Sequence, residues 1–531
     1  MAKRIICALL VMLMLAPMLF ACGPKPAPVE PSESQSGDAQ VSDSAAGTQG
    51  GDQTAAATES DTKKTTSLGD GYVDENILKT LPSADYNGAT FQIALPNSAE
   101  HGYQFDAPRI TGNLETDALY RWMKKVKDTY NIEISYKDAW DGDYATTAGA
   151  EIAIGTSKYN LYGHYAFEIH KFIMQGWFQD VNALGQMTDE NGTKYMDLSQ
   201  IRWDQKLNSE VTYNGKLLSL TGDLGVSKLQ SAMATFVNSN LLWDYCGMKN
   251  EDLYKIVNDG EWTFEKFKEL TAMIYEDDSM PGKSFGDTLG YLSTSGNSLD
   301  VWFPAFSLEI TKRDEVNNTI TATFMDSFNV SVIDELRKFY YDGETVMMGF
   351  NVSGAQSEIG KFRNEELGFC TTQFRNVYGA DGFNNMQAFG IVPTPKWDTE
   401  QQVYRTKLND RYTIWGVAAC LPNEQRQFTA HITDALCAES SETLYYQYYE
   451  VLLKNRYSKE PATAAMVDKV MEHPHFDTVI QFGTFLGVNG NNYAFFPRYL
   501  IVNREWDVSS KYEEIEDVLS GQLQQVYDKY K

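Results

Sequence analysis

Between residues 90 and 173 short apolar strands alternate with amphipathic helical stretches, and this alternation restricts the fold more than any other feature of the chain. Thr90-Phe91-Gln92-Ile93-Ala94-Leu95 follows the turn signal Asn87-Gly88, alternates in polarity and stops at Pro96, as a strand with one face in a core does. Leu119, Trp122, Met123, Val126 and Tyr130 recur at helical spacing, and the chain passes through Asn131 into a second strand, Ile132-Glu133-Ile134-Ser135-Tyr136. A further unit opens with Tyr159-Asn160-Leu161-Tyr162-Gly163 and continues into a helix carrying Ala166, Ile169, Phe172 and Ile173. Repeated alternation of this kind predicts an α/β fold: a mainly parallel sheet, right-handed crossovers and helices on both faces. Ligands in such sheets sit at the carboxyl ends of the strands.

The first 67 residues have a different character. Lys3 and Arg4 precede an apolar run from Ile5 to Phe20, then small Ala21 and Cys22, which is the layout of a secretory leader and too short for a spanning helix. Leu19-Phe20-Ala21-Cys22 resembles the lipobox of bacterial lipoproteins, which implies that Cys22 carries a diacylglycerol group and becomes the first residue of the mature chain. Two or more acyl chains give stable anchoring where one does not. Residues 23–67 contain no aromatic side chain and only Val29 and Val41 as sizeable aliphatics, so they cannot bury enough surface to offset their ordering entropy. They read as a disordered linker that reaches about 35 to 40 Å.

The remaining chain is long enough for two or more domains, and it has no apolar run after the leader long enough to cross a bilayer. A formal net charge of -27 argues against nucleic acid and against electrostatic docking on anionic lipid. Cys246, Cys370, Cys420 and Cys437 are widely spaced and form no C-x-x-C pair, so neither a metal knuckle nor a redox motif is present, and a disulfide cannot be assigned from sequence. Gly282-Lys283-Ser284-Phe285-Gly286 matches the string of a nucleophile elbow, but Asp277-Asp278-Ser279-Met280-Pro281 before it reads as loop rather than strand. His473-Pro474-His475 reads as a solvated loop, and Asp138, Asp141 and Asp143 miss the calcium-loop spacing. No cofactor and no metal are expected.

From residue 236 the texture turns helical. Phe236-Val237-Asn238 reads as a short strand, Thr263 as the N-cap of a helix with Phe267, Leu270 and Ile274 along one face, Phe389-Gly390-Ile391-Val392 as a strand ending at Pro393, and Tyr412 to Ala419 as another. In order, Asn87 to Phe91, Gln175-Gly176-Trp177-Phe178-Gln179-Asp180-Val181, Asn214-Gly215-Lys216-Leu217, Phe236 to Asn238, Asp259-Gly260-Glu261-Trp262-Thr263 and Phe389 to Asp398 together resemble the extracellular solute-binding proteins of ABC importers, specifically the large lipid-anchored sugar-type members of Gram-positive bacteria. The resemblance implies a periplasmic-binding-protein-like fold of type II: two α/β lobes joined by two or three hinge crossings, with the solute in the cleft. It places 85–235 plus 390–435 in lobe 1 and 236–389 plus 440–531 in a mostly helical lobe 2, with crossings at Phe236 to Asn238, Gly390 to Pro393 and after Ala438.

A sugar site needs aromatic faces for C-H surfaces and polar planar groups for hydroxyls. Trp140 and Asp141 lie in a loop past the second strand, His164 and Tyr165 follow a strand end, Trp302 lies where the resemblance implies a second-lobe contact, Phe374 and Arg375 follow the Gly368-Phe369-Cys370 strand, and Trp415 is in the last strand of lobe 1. These are the expected ligand contacts, whereas Trp177 is expected to pack. The reading is a non-enzymatic, monomeric, lipid-anchored receptor on the outer face of the cell membrane that delivers a carbohydrate, an oligosaccharide by expectation, to ABC permease subunits. A surface glycoside hydrolase, and a peptide-binding or sensor protein of the same fold, are the alternatives.

Overall fold

The computed structural model describes residue 74 and residues 76–531, apart from 97–101, 139–143, 281, 295, 315–318, 350–353, 379–381, 387, 458–460 and 489–490. The leader, Cys22 and the 23–67 linker lie outside the described residues.

Among the described residues ten strands build two central sheets; the two-residue strand Tyr275–Glu276 flanks the second, antiparallel to Thr288–Ser293, and the other nine form the two main ladders. In chain order they are Ala89–Leu95 (β1), Ile132–Asp138 (β2), Leu161–Tyr165 (β3), Met233–Asn238 (β4), Thr288–Ser293 (β5), Val346–Met348 (β6), Leu367–Gln373 (β7), Phe389–Val392 (β8) and Thr413–Gly416 (β9). The first sheet has the order β9-β3-β1-β2, with β1 parallel to both β2 and β3 and β9 antiparallel to β3. The second runs β6-β5-β7-β4-β8 and is mixed: β6, β5 and β7 are parallel, while β4 is antiparallel to β7 and β8. The parallel part of the first sheet follows the alternation read from sequence, the parallel strands β5 and β6 of the second were not read from it, and in each sheet the strand antiparallel to its neighbours, β9 or β4, is the one that enters after a passage from the other sheet.

Local chemistry explains the elements. Helix α1, Leu114–Tyr130, starts because Asn113 accepts hydrogen bonds from the Glu115 and Thr116 amides, and it ends at Asn131, which takes the left-handed conformation (φ 48°) that asparagine tolerates. Its inner face buries Leu119, Trp122, Val126 and Tyr130. Helix α2, Phe264–Met273, is capped by Thr263 and buries Phe267 and Leu270 on the second sheet. The helix expected from Ala166 to Ile173 shrinks to His170–Ile173 after a turn, because Ala166 and Phe167 donate their amides to the carbonyls of Tyr412 and Asp410 rather than to a helix.

The passages between lobes are displaced from where they were expected, the first by a few residues and the second by a longer stretch of chain. Phe236 to Asn238 and Gly390 to Val392 are paired with one another inside the second sheet. Residues 393–405 also stay with that lobe: Lys396 donates its amide to Trp262 at 3.2 Å and the Gln401 side chain donates to Ala305 at 2.8 Å. The chain passes between sheets at 231–233 and 406–412, where Ala232 bridges Leu408 and the Asn409 amide donates to Ser231 at 2.8 Å. The third passage is continuous helix. Helix α3, Asn423–Glu439, packs on α1, the Trp122 indole donating to Leu436 at 2.8 Å, and then runs through π-helical turns, Ser440–Leu444 and Gln447–Tyr457. Helix α4, Pro461–Glu472, then packs on β8, and Thr463 meets Tyr254 at 2.7 Å.

The last helix, α5, Val508–Lys529, spans both lobes. Its first turns pack Tyr512 against Phe324 and Phe496 of the second lobe. Its end reaches the hairpin at 212–217 in the first: fully buried Tyr530 and Tyr213 lie edge to face at 4.8 Å, Tyr527 donates to Asn214, and Lys216 Nζ donates to the Lys531 carbonyl at 2.7 Å.

Candidate functional site

The site is built by two short strands that pair only after the chain has visited both lobes. Thr406–Lys407 lies parallel to Pro474–His475, with the Thr406 amide donating to the His473 carbonyl at 2.9 Å. This pairing corrects the expectation of a solvated loop at His473-Pro474-His475. Together with Leu408 and Tyr412 of the crossing, and with Asp300, Phe303, Leu308 and Ile310 of the second lobe, it encloses a cavity of about 50 Å³. Phe476, Asp477, Val479 and Ile480 complete the wall.

Most of this lining is apolar, and its polar groups are unevenly satisfied. Asp300 ends the helix Gly296–Asp300 and is 3% exposed; Arg498 Nη1 lies 3.3 Å from its carboxylate, yet neither carboxylate oxygen has a hydrogen-bond partner. Gly296 is what lets Arg498 approach, since a Cβ there would sit 1.6 Å from the guanidinium. Burial pushes the Asp300 carboxyl up to about 6, against the pull of Arg498 and Lys407. The Tyr412 hydroxyl is buried without a partner, and burial raises its phenol well above the ordinary value. Burial also raises Asp477 to about 7, although its carboxylate accepts from the Val479 amide at 2.9 Å and from Thr311 Oγ1 at 3.3 Å. His475 is pushed down to about 3 by burial and by the positive charges of Arg405 and Lys206, so it is a neutral imidazole at physiological pH. Lys407 Nζ donates to Asn297 at 3.3 Å and to the Leu408 carbonyl at 3.1 Å.

Unpartnered carboxylate and phenol groups beside aromatic and aliphatic walls suit a ligand with many hydroxyls and C-H faces. Leaving such groups unpaired costs about 1–3 kcal/mol each, which a bound hydroxyl would recover. The cavity holds a few waters, whereas a site for a sugar-sized ligand takes a few hundred Å³. A solute therefore enters only if the walls part, and those walls come from the second lobe, the crossing and the segment at 475–480.

The ligand contacts expected from sequence do not converge on this cavity. Trp302 is fully buried among Phe264, Phe267, Tyr291 and Phe306, and its indole donates to Tyr340 at 2.8 Å. It is a core side chain, as are Trp415, 1% exposed and packed on Phe105, and Phe374, fully buried beside Phe236. His164 is 1% exposed because β3 points its ring inward toward Phe172, with Glu168 at 3.8 Å. Tyr165 and Arg375 are half-buried: Tyr165 ends β3 with its ring 5.7 Å from Phe167, and Arg375 lies in the turn after β7, but neither lines the cavity. Trp140 and Asp141 lie outside the described residues. Trp177 packs edge to face on Phe172.

Sequence reasoning missed Asp300, Lys407, Tyr412, His475, Asp477 and Arg498. Two of them sit two and three residues from tryptophans it did select. Ser284 lies in a turn, not at a strand-to-helix elbow, and donates to Asp278 at 2.8 Å. Asp277, Asp278 and Asp287 lie close enough to share a cation, but Asp287 already accepts from the Ser284 and Asp278 amides.

No family model matches the chain, and no curated protein does. Solved structures do. UgpB from Mycobacterium tuberculosis, in complex with glycerophosphocholine, is 14% identical with a TM-score of 0.52 over 82% of this chain and 98% of that one. An ABC-transporter solute-binding protein from Thermotoga lettingae, bound with α-D-tagatose, is 9% identical with a TM-score of 0.50 over 82% and 100%. The GacH receptor of Streptomyces glaucescens, seen unliganded and with acarbose, is 12% identical with a TM-score of 0.50 over 82% and 99%. At these identities the likeness is one of fold, and the chain has the α/β fold of these binding proteins.

Proposed function

We propose that this protein is a lipid-anchored extracellular receptor that closes two lobes on a carbohydrate and presents it to an ABC importer. The observation that carries the reading is the cavity at the chain crossings, where the buried Asp300 carboxylate and the Tyr412 hydroxyl have no hydrogen-bond partner. In a fold shared with proteins solved around tagatose and acarbose, those two groups are the hydroxyl acceptors of the site, and Phe303 and Phe476 supply its apolar faces. Closure is favoured only by as much as the solute binds the closed form better than the open one. Titration calorimetry with mono- and oligosaccharides should give saturable binding, weakened at least tenfold by Asp300→Asn, with the sugar recovered unchanged. Absence of binding by every sugar tested overturns the reading.

One observation favours a second reading, glycoside hydrolysis: Asp300 and Asp477 are two carboxyls of raised proton affinity on a single cavity. Chromatography of labelled oligosaccharide after incubation separates the two readings, since released fragments support hydrolysis and intact sugar supports capture. The anchor belongs to the same proposal. Cys22→Ala should move the protein from the membrane fraction to the medium or stall its processing, and unchanged membrane retention refutes the lipid.

A further inference from the structure

A second concavity, about 410 Å³, shares Leu308, His475, Phe476 and Asp477 with the cavity and adds Lys206, Lys312 and Arg405 to its walls. The three cations come from three places: Lys206 from the helix Gln205–Glu210 of the first lobe, Lys312 from the strand Thr311–Asp314 in the second, and Arg405 from the residue before the crossing strand. In this chain 72 acidic residues face 45 lysines and arginines, so a cation can readily find a carboxylate, and the surface helices pair theirs, as in Lys338 with Asp334 at 2.8 Å. Among the described residues, Lys206, Lys312 and Arg405 have no carboxylate within ion-pairing distance and no side-chain hydrogen bond. Arg313, which lines the same groove, is engaged: it donates to the Ser209 carbonyl at 3.3 Å and lies 4.6 Å from the Tyr213 ring.

The positive fields of Lys206 and Arg405 overlap at one point, because both depress the proton affinity of His475. Glu210 and Glu309 also line the groove, and both act on Asp477 from the opposite direction. The excess of positive charge is thus small and local, enough for one oxyanion and too little for a polyanion.

We propose that this groove binds a single small oxyanion, a phosphate, sulfate or carboxylate group, held by Lys206, Lys312 and Arg405 across the two lobes. An anion held from both sides favours the conformer in which those sides face each other, so its binding biases the same lobe equilibrium that the cavity uses. The site stands whether or not the cavity takes a sugar.

The test is thermal unfolding of the full chain in inorganic phosphate, sulfate or glucuronate, each against chloride at equal ionic strength. A saturable rise of about 2–4 °C in Tm at anion concentrations near one hundred times Kd is expected. Lys206→Gln and Arg405→Gln should abolish the rise, and Glu210→Gln should move its midpoint to lower anion concentration. Stabilisation by phosphate and sulfate alone identifies a free inorganic ion as the ligand, and stabilisation by glucuronate as well identifies a carboxylate-bearing solute. No rise in any anion, or an equal rise in the Gln variants, overturns the proposal. Should Arg405→Gln fail to fold, exposed Lys206→Gln decides alone.

Discussion

Trp302 and Asp300 are two residues apart and belong to opposite kinds of interior. Around Trp302 the second lobe is close-packed and its polar groups are paired: the indole N-H donates to Tyr340, the Tyr340 hydroxyl meets Ser293 at 2.8 Å, and the Tyr291 hydroxyl donates to the Ser298 carbonyl at 3.1 Å. Around Asp300 burial is as deep, but two carboxylate oxygens and the nearby Tyr412 hydroxyl lack hydrogen-bond partners. Helical geometry produces the contrast. Val301 has helical angles, so Asp300 and Trp302 project about 200° apart, one into the cavity and the other into the core. Tyr412 and Trp415, three residues apart at the start of a strand, separate by the period of two in the same way. Depth of burial therefore does not separate Asp300 from Trp302; completeness of pairing does.

That contrast can be broken most sharply at Trp302. Trp302→Ala should cost about 3–5 kcal/mol of stability in chemical denaturation, the price of emptying a packed aromatic site. A loss below about 1 kcal/mol would move Trp302 out of the core and back toward the ligand.

Asp300→Asn should act in the opposite direction. The folded carboxyl titrates near 6, above the ordinary value of 3.8. Between those values the folded state binds more protons than the unfolded chain, so this group's contribution falls as pH rises from about 4 to about 6 and stays low above. The uncharged amide escapes that penalty, and the variant should be more stable than the parent at pH 8 by on the order of 1–3 kcal/mol and equal to it at pH 4. Paired melting curves at the two pH values check this, and destabilisation at pH 8 would mean that Arg498 repays the carboxylate in full.

The finest comparison removes one hydroxyl from each region. Tyr340→Phe deletes a hydroxyl bonded to Trp302 and Ser293 and should cost about 1–2 kcal/mol, whereas Tyr412→Phe deletes an unpaired one and should change stability by less than about 1 kcal/mol, in either direction. Equal losses in the two variants would show that the Tyr412 hydroxyl is satisfied in solution.

Elements whose causes are local were legible in the sequence: the β1-α1-β2 unit with its turn at Asn131, the Thr263 cap, and strand β8 ahead of Pro393. The crossings were less so. Phe236 to Asn238 and Gly390 to Val392 are apolar because β4 and β8 are buried along their whole length in the second sheet, while the true passage, Lys407 to Tyr412, is polar in pattern and reads as loop. The cavity was the least legible part. Asp300 depends on Arg498, and Thr406 on His473, pairs made by the return of a distant segment, and an aromatic-based choice of ligand contacts led to the nearest tryptophans, which the core had already used.

The clasp between Tyr530 and Tyr213 bears on how the protein is made. The pocket on the 212–217 hairpin is synthesised long before its occupant, Tyr530. Until Tyr530 has left the ribosome the first lobe must wait with Tyr213 uncovered, so the two halves are fastened late in folding, and a variant that loses Tyr527 and Tyr530 would leave them unfastened.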